Sequence, residues 1–254
     1  MYDTKLQIPI FCPEYEEDVS YGYKYSKGER LSELLFKTSE GYCMYCYTRI
    51  LIDSKKFGQL EHAIEKRHSD RLKECVPNLG LACPKCNQSF KKVGDIGEIF
   101  TTKQKSDFES GECTKEKCKK ECSAYKRLKR RYLTKRTIIL QPMGVVKNKK
   151  PYRIQYNLLK LEFEPSDIVD YIEDEKDFIR GHINYFNLND ASYRTRELVW
   201  FCKDFINGDK YIRKGKYNNY IVDLFIDLLM QLGAQERERL CELVYKIAMM
   251  KKVI

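Results

Sequence analysis

Two closely spaced pairs of cysteines are the strongest chemical feature of this sequence. Cys43 and Cys46 form one CxxC pair, Cys83 and Cys86 form a second, and residues 47–82 lie between them. Four thiolates in this pattern are typical ligands of tetrahedral zinc. An ion bound by four thiolates has no open coordination position, so we expect this zinc to be structural rather than catalytic.

Four polar residues suited to hydrolysis lie between the cysteine pairs or directly after them: Glu61, His62, Asn78 and Asn87. Imidazole is the side chain whose unperturbed pKa suits a general base near neutral pH. Carboxylate and amide oxygens are the ligands that hard cations such as Mg²⁺ or Mn²⁺ prefer. Hydrolysis of a phosphodiester needs both groups, because the attacking water must lose a proton and the leaving oxygen gains negative charge.

The elements that must position these residues follow from local patterns. Residues 47–52 (YTRILI) are rich in β-branched and aromatic side chains, and residues 58–64 (GQLEHAI) alternate, so both segments predict strands. Pro84 suits the first turn of a helix. We therefore expect the order strand, strand, loop, helix, which would bring His62 on the second strand close to Asn87 on the helix.

Glu61 and His62, Asn78 sixteen residues after the histidine, and Asn87 at the second CxxC pair resemble the motif of HNH endonucleases with CxxC zinc knuckles. The resemblance implies a ββα-metal core in which His62 is the general base that deprotonates water. It implies that Glu61 is a ligand of a catalytic Mg²⁺ or Mn²⁺ ion. Asn78 would orient the loop and the His62 ring, and Asn87 would be a metal ligand or a phosphate contact.

A weaker resemblance extends further along the chain. Lys66 follows His62 by four residues, and the segment HINYFNLNDASYRTRELVWF (182–201) has an apolar stretch that ends in Leu-Asn before a helix beginning with Arg. These features resemble the nuclease subunits of Septu-type and retron-associated antiphage systems, over residues 30 to about 205. Glu65 stands where those proteins usually have Pro. The resemblance implies a DNA-cleaving effector of antiphage defence and an ATPase or retron partner.

Other interpretations of the same residues stay open. His68 is a rival general base, and Glu65 and Asp70 are further carboxylates that could bind the catalytic ion. A different class of function is a zinc-knuckle protein that binds nucleic acid without cleaving it. In that case the four cysteines keep their role, and Glu61 and His62 have none.

A second group of cysteines, Cys113, Cys118 and Cys122, precedes a basic segment. Cys118 and Cys122 are four residues apart and would share one face of a helix. With a fourth ligand such as Cys75, the group could bind a second zinc ion. The alternative is three reduced cysteines at the beginning of a basic helix.

The positive charge of the chain is concentrated in one segment. The formal net charge is +10, and residues 115–136 contain eleven Lys or Arg against two Glu. Such a concentration favours a polyanionic partner, above all nucleic acid, and here most plausibly DNA. We expect a basic helix that ends near Leu133 and contacts backbone phosphates through Lys126, Arg127, Lys129, Arg130 and Arg131.

Composition and periodicity predict an α+β protein with a mostly helical C-terminal region. We divide the chain into an N-terminal arm with a short helix (1–40), the nuclease motif with its basic extension (41–136) and a C-terminal region (137–254). Strands are expected around 137–142 and in PYRIQY and LLKLEFE, and helices over 166–178, 194–206, 216–231 and 234–250. The apolar stripes of the last three helices predict a small bundle or, alternatively, a docking surface for a partner.

The 11 cysteines are an odd number and stand mostly in short clusters, which is typical of metal binding in a reducing compartment rather than of a disulfide framework. No apolar run is long enough to cross a bilayer, and the first twenty residues do not have the pattern of a secretory signal. We therefore expect a cytoplasmic protein with no membrane partner.

Overall fold

A computed structural model describes residues 4–89, 98–110, 118–190 and 195–252. It is a mixed α+β structure with small antiparallel sheets, which confirms the predicted class. In chain order the strands and α-helices are β1 (Lys5–Gln7), α1 (Tyr25–Thr38), β2 (Leu51–Ile52), β3 (Lys55–Lys56), β4 (Gln59–His62), β5 (Leu79–Ala82), α2 (Thr102–Glu109), α3 (Ser123–Leu133), β6 (Val146–Lys147), β7 (Lys150–Pro151), β8 (Ile154–Asn157), β9 (Glu162–Pro165), α4 (Glu173–Tyr185), α5 (Thr195–Ile206), α6 (Tyr220–Met230) and α7 (Ala234–Met250).

The chain divides into two compact units by spatial contacts. The cysteine unit consists of residues 10–46 and 50–151, and the helical unit consists of residues 1–9, 47–49 and 152–254. The division predicted from sequence follows composition along the chain and stays a prediction. Its ranges are 1–40, 41–136 and 137–254. Among the residues that the structure describes, no helix is long and apolar enough to cross a membrane.

A short antiparallel hairpin of β4 and β5 lies at the centre of the cysteine unit. Its register places His62 opposite Leu79 and Gln59 opposite Ala82. Between the two strands the chain forms three 3₁₀ helices, Lys66–His68, Asp70–Glu74 and Val76–Asn78. The hairpin thus brings the residues after His62 back beside it, immediately before the second CxxC pair.

The strand pairing differs from the sequence prediction. Segment 47–52 does not pair with 58–64: Thr48 forms a bridge to Asn219 in the helical unit, and Leu51–Ile52 pairs with Lys55–Lys56. The polar turn at Asp53 and Ser54, both with positive φ, reverses the chain too soon for a longer hairpin. Strand β4 pairs instead with β5, from the far side of the loop.

One helix boundary in the cysteine unit also differs from expectation. The short helix of the N-terminal arm, which RLSELLFKT predicts over 30–38, begins at Tyr25. The helix expected from Pro84 is described over Lys85–Ser89, as a π-helix, and residues 90–97 lie outside the described part of the chain. The basic helix α3 ends at Leu133, as predicted.

The helical unit has a three-stranded antiparallel sheet in the order β1-β8-β9, with helices α4 to α7. Aliphatic and aromatic side chains form its core; Phe201 and Phe225, for example, meet edge to face with ring centroids 5.9 Å apart. Helices α5 and α7 match their predicted ranges closely. Helix α6 begins later, at Tyr220, because the Asn219 side chain accepts a hydrogen bond from the Ile221 N–H and caps it.

Two further predictions for the region after residue 136 are corrected. The helix expected over 166–178 begins at Glu173, where three consecutive acidic residues favour a helix N-terminus and Glu175 accepts a hydrogen bond from the Ile172 N–H at 3.2 Å. Ser166, where the predicted helix would begin, lies outside it, and its hydroxyl donates to Gln7. No strand forms at 137–142, a segment that ends at Pro142, which has no N–H to donate to a sheet.

Candidate metal centre and active site

The four cysteines of the two CxxC pairs converge on one point in the cysteine unit. Cys43, Cys46, Cys83 and Cys86 are buried, and their sulfur atoms all lie within 4.8 Å of one another. Sulfur atoms around a tetrahedral zinc ion are separated by distances of this order, because each Zn–S bond is about 2.3 Å long. The set is therefore able to hold a metal ion such as zinc, and none of its four positions is left open for substrate.

Backbone hydrogen bonds orient the cysteine sulfurs. The Cys83 N–H donates to Cys43 Sγ at 3.3 Å, and the Cys86 N–H donates to Cys83 Sγ at 3.4 Å. The Met44 N–H donates to the Leu81 carbonyl at 3.1 Å, which attaches the first CxxC turn to strand β5. The cluster thus joins both ends of the segment that contains the candidate catalytic residues.

The electrostatics of the cluster favour a bound cation. Burial raises the pKa of the Cys43 thiol well above its ordinary value, whereas the hydrogen bond from Cys43 lowers the pKa of Cys83. Several thiolates cannot stay buried together without a counter-charge, because each loses its hydration and repels the others. A divalent metal supplies that charge and displaces the thiol protons.

His62 is the last residue of β4 and is 9% exposed. Its Nε2 lies 3.2 Å from the Lys73 carbonyl oxygen, in the loop that returns the chain to β5. A carbonyl oxygen only accepts, so Nε2 carries the proton in this contact. The Tyr23 ring packs against the imidazole with ring centroids 4.6 Å apart. The surroundings therefore fix both the orientation and the tautomer of His62.

Glu61 precedes His62 on the same strand and is only 1% exposed. Its carboxylate accepts a hydrogen bond from the Tyr45 hydroxyl. Successive side chains on a strand point to opposite faces, so Glu61 and His62 leave β4 on different sides. A catalytic ion bound by Glu61 would have to compete with Tyr45 for the carboxylate.

Asn78 is fully buried and holds the loop between β4 and β5 through its amide. Oδ1 accepts from the Ile64 N–H at 2.8 Å and from the Tyr125 hydroxyl at 3.0 Å, while Nδ2 donates to the carbonyls of Ile64 at 2.9 Å and Leu72 at 3.3 Å. These contacts fit the role expected for Asn78, the orientation of the loop beside His62. They place its amide in the interior, away from solvent.

Asn87 lies on the π-helical turn after the second CxxC pair and contacts β4. Its Nδ2 donates to Gln59 Oε1 at 3.0 Å, three residues before His62. Asn87 and Gln59 line a surface groove together with Tyr23, whose ring contacts His62. The structure thus brings Asn87 to the strand of His62, where its hydrogen bond is to Gln59.

The rival residues lie in other surroundings. His68 is 7% exposed, with Nε2 3.4 Å from Glu65 Oε2 and its ring edge against Phe100. Glu65 also accepts from the Tyr132 hydroxyl at 3.1 Å. Asp70 is exposed and pairs with Lys73. His68 is thus buried to nearly the same extent as His62, and differs from it in its contacts with Glu65 and Phe100.

The second group of cysteines is described in part. Cys113 lies outside the described residues. Cys118 and Cys122 are half-buried, and Cys122 is not on a helix face but at the N-cap of α3, where its sulfur accepts from the Tyr125 N–H at 3.4 Å. Cys75 is almost completely buried.

The basic helix α3 presents an exposed cationic surface with one exception. Lys126, Arg127, Arg130 and Arg131 are exposed. Lys129, predicted to contact phosphate, is instead 9% exposed, donates to the Gly144 carbonyl at 2.8 Å and pairs with Glu121. Lys129 is buried because it lies on the same helix face as Tyr125, Leu128 and Tyr132.

Four contributors to the site were not found from sequence. Tyr23 stands in an aromatic run (YGYKY) that matches no motif. Gln59 and Tyr45 carry no motif of their own, and the Lys73 contact to His62 comes from a backbone carbonyl that any residue type would supply. Comparison with protein-family models, curated proteins and solved structures found no match for this chain.

Proposed function

We propose that this protein is a metal-dependent HNH-type endonuclease that hydrolyses phosphodiester bonds of DNA, with His62 as the general base. The observation that carries the proposal is the position of His62 on β4. Its Nε2 meets a backbone carbonyl, its ring packs against Tyr23, which lines a groove together with Asn87, and four buried thiols converge beside the hairpin. A base, a groove and a metal-fixed scaffold are what the reaction needs.

In this mechanism His62 takes the proton of a water molecule, the water oxygen forms a bond to the scissile phosphorus, and the bond from phosphorus to the leaving oxygen breaks. The Lys73 carbonyl stabilises the imidazolium that results, because Nε2–H donates to it. A Mg²⁺ or Mn²⁺ ion, when bound, neutralises charge on the phosphate and at the leaving oxygen. Asn87 and Glu61 would hold this ion, and for Glu61 that requires release of the Tyr45 hydrogen bond. Zinc at the four thiols has a structural role.

The cellular role that we propose is that of a cytoplasmic effector in antiphage defence, with an ATPase or retron partner that restrains or recruits it. This part rests on the resemblance of Glu61, His62 and Lys66 and of segment 182–201 to Septu-type and retron-associated nuclease subunits. The exposed residues of α3 (Lys126, Arg127, Arg130 and Arg131) are suited to backbone phosphates, which would make binding depend strongly on salt.

The test is cleavage of supercoiled plasmid in the presence of Mg²⁺ or Mn²⁺. We expect His62→Ala to lower the cleavage rate by about 10² to 10⁴, the usual contribution of a general base. His68→Ala is the matched control and should retain most activity. Zinc content and circular dichroism must be unchanged in both variants. Equal cleavage by wild type and His62→Ala would overturn the assignment, and loss in His68→Ala alone would move the base there.

A non-catalytic zinc-knuckle protein is the second candidate, and the burial of Glu61 against Tyr45 favours it. It predicts binding of nucleic acid by the exposed cations of α3 without cleavage under any divalent metal. Filter binding across a salt series, run beside the cleavage assay, separates the two functions. Salt-dependent binding with no product in Mg²⁺ or Mn²⁺ would establish the binding protein.

A further inference from the structure

The groove beside the candidate active site has the size of a binding site. Its volume is about 770 Å³, and ligand sites of about 300 to 1,000 Å³ are common in proteins. Its walls come from α1 and the residue Tyr23 before it, from β3 and β4, and from the π-helical turn after the second CxxC pair. The Tyr23 ring also packs on His62, with centroids 4.6 Å apart. The groove and the proposed general base thus share a neighbour.

One wall of the groove carries the most exposed large apolar side chain that the structure describes. Tyr25 is 88% exposed, and its ring has no aromatic or cationic partner among the described residues. Its φ of 51° lies in the left-handed region, which bulky side chains rarely adopt. Tyr23, in contrast, is held in place, because its N–H donates to Glu74 Oε2 at 2.9 Å. An exposed ring with no partner is suited to stacking on a flat ligand.

A side-chain amide in the groove is oriented by its neighbours and keeps a donor available. Gln59 Oε1 accepts from Asn87 Nδ2 at 3.0 Å and from Gln88 Nε2 at 3.3 Å. Within the described part of the chain, Gln59 Nε2 donates to no group. An amide N–H₂ in a fixed orientation is suited to the ring nitrogens and carbonyl oxygens on the edge of a nucleobase, as Asn and Gln side chains show in complexes with DNA.

The charges around the groove favour a base inside it and a phosphate outside it. Glu29 and Glu33 line the groove, and only Glu33 has a lysine near it, with Lys56 Nζ at 3.8 Å, among the residues described. Carboxylates repel a phosphate but accept hydrogen bonds from the exocyclic amino groups of bases. Lys66 is exposed and its Nζ lies 5.5 Å from the centre of the Tyr23 ring. A nucleotide therefore fits with its base in the groove and its phosphate near Lys66.

We propose that this groove binds one unstacked nucleobase of single-stranded or locally opened DNA, with Tyr25 stacked on the base and Gln59 Nε2 donating to its edge. A base inside a duplex cannot enter, because stacked neighbours cover both of its faces. The inference rests on the proposed function, in which DNA is the substrate, and narrows that substrate to an unpaired strand. Stacking in the groove places the adjoining phosphate on the side of Tyr23 and Lys66.

Binding of a labelled single-stranded oligonucleotide to the full chain tests the proposal, by fluorescence anisotropy and with no divalent metal added, so that no cleavage occurs. We expect Tyr25→Ala to weaken binding about tenfold, as is usual when a stacking ring is removed. Tyr25→Trp keeps a flat ring and should retain the affinity. Tyr211→Ala is the matched control, because Tyr211 is an exposed tyrosine of the helical unit. Equal affinities of Tyr25→Ala and the wild type would overturn the proposal.

Two further ligands show whether the Tyr25 ring contacts a base. On a strand of the same length with abasic sites, and on the fully paired duplex, Tyr25→Ala and the wild type should bind equally. A loss in Tyr25→Ala as large on either of these as on the intact single strand would contradict base stacking. Failure of the nuclease proposal is a separate observation, the absence of cleavage in Mg²⁺ or Mn²⁺. Binding that depends on Tyr25 would then still support the groove as a base site.

Discussion

The two compact units of this protein are stabilised in different ways. The cysteine unit has strands of two to four residues and several single turns, and its interior holds thiols and hydrogen-bonded polar side chains such as Asn78. The helical unit has helices of 11 to 17 residues whose interior is mainly aliphatic and aromatic. Both units bury many apolar side chains, but among the described residues four thiols able to hold a metal converge only in the cysteine unit.

The comparison also separates chemistry from scaffold. All of the candidate catalytic and metal-binding residues that the structure describes belong to the cysteine unit. A hydrogen bond to the Lys73 carbonyl and the packing of the Tyr23 ring hold His62 in one orientation. Damage to metal binding should therefore affect one unit, and damage to apolar packing the other.

The largest effect is expected for Cys83→Ser. Zinc binding contributes on the order of 10 kcal/mol to folding in small zinc domains, so the cysteine unit should lose its cooperative structure. We expect loss of about one zinc equivalent, and loss of amide protection in β4 and β5 in hydrogen exchange. Helices α5 to α7 should stay protected. Cys12→Ser, at an exposed cysteine, is the control. Retained protection in β4 and β5 would show that metal does not hold this unit.

Phe225→Ala should produce the opposite pattern. Its ring is fully buried in the helical unit, against Phe201, and truncation of such a side chain costs about 3 to 5 kcal/mol. The thermal transition of the helical unit should fall while zinc content stays unchanged. Loss of zinc in this variant would mean that the two units do not respond separately.

Asn78→Ala tests the buried hydrogen bonds of the cysteine unit. The change removes four hydrogen bonds and leaves the Ile64 N–H and other buried groups without partners, at a cost of about 2 to 4 kcal/mol. We expect lower stability toward urea and slower cleavage with zinc retained. Tyr125→Phe removes one of these bonds and should cost about 1 kcal/mol. A wild-type urea midpoint in Asn78→Ala would refute the role of this amide.

The smallest effect concerns pH and the helical unit. Burial lowers the pKa of His182 to about 3, so the imidazole is neutral in the folded protein at neutral pH. In the unfolded chain this imidazole binds a proton below about pH 6.5. The contribution of neutral His182 to the free energy of unfolding is therefore complete above that pH and is lost as the pH falls towards 3. The slope is at most about 1.4 kcal/mol per pH unit. His182→Leu should remove this component in acid titrations of stability; an unchanged slope would contradict it.

Features encoded by neighbouring residues were predictable. The CxxC pairs, the strand with His62 and the apolar stripes of α5 and α7 depend on spacing along the chain alone. The pairing of β4 with β5 was not predictable in this way, because it depends on the path of residues 63–78 between the two strands. The burial of Lys129 was not predictable either, because a charged side chain is buried only where partners such as Glu121 and the Gly144 carbonyl lie within reach.

The most direct test of the central claim separates the two metals. Protein carrying its zinc is treated with EDTA, dialysed, and assayed on plasmid before and after addition of Mn²⁺, with zinc measured at each step. We predict no cleavage without added metal and full recovery with Mn²⁺ at constant zinc, because the thiolate-bound ion has no open position. Full cleavage by protein that holds zinc alone would contradict the account.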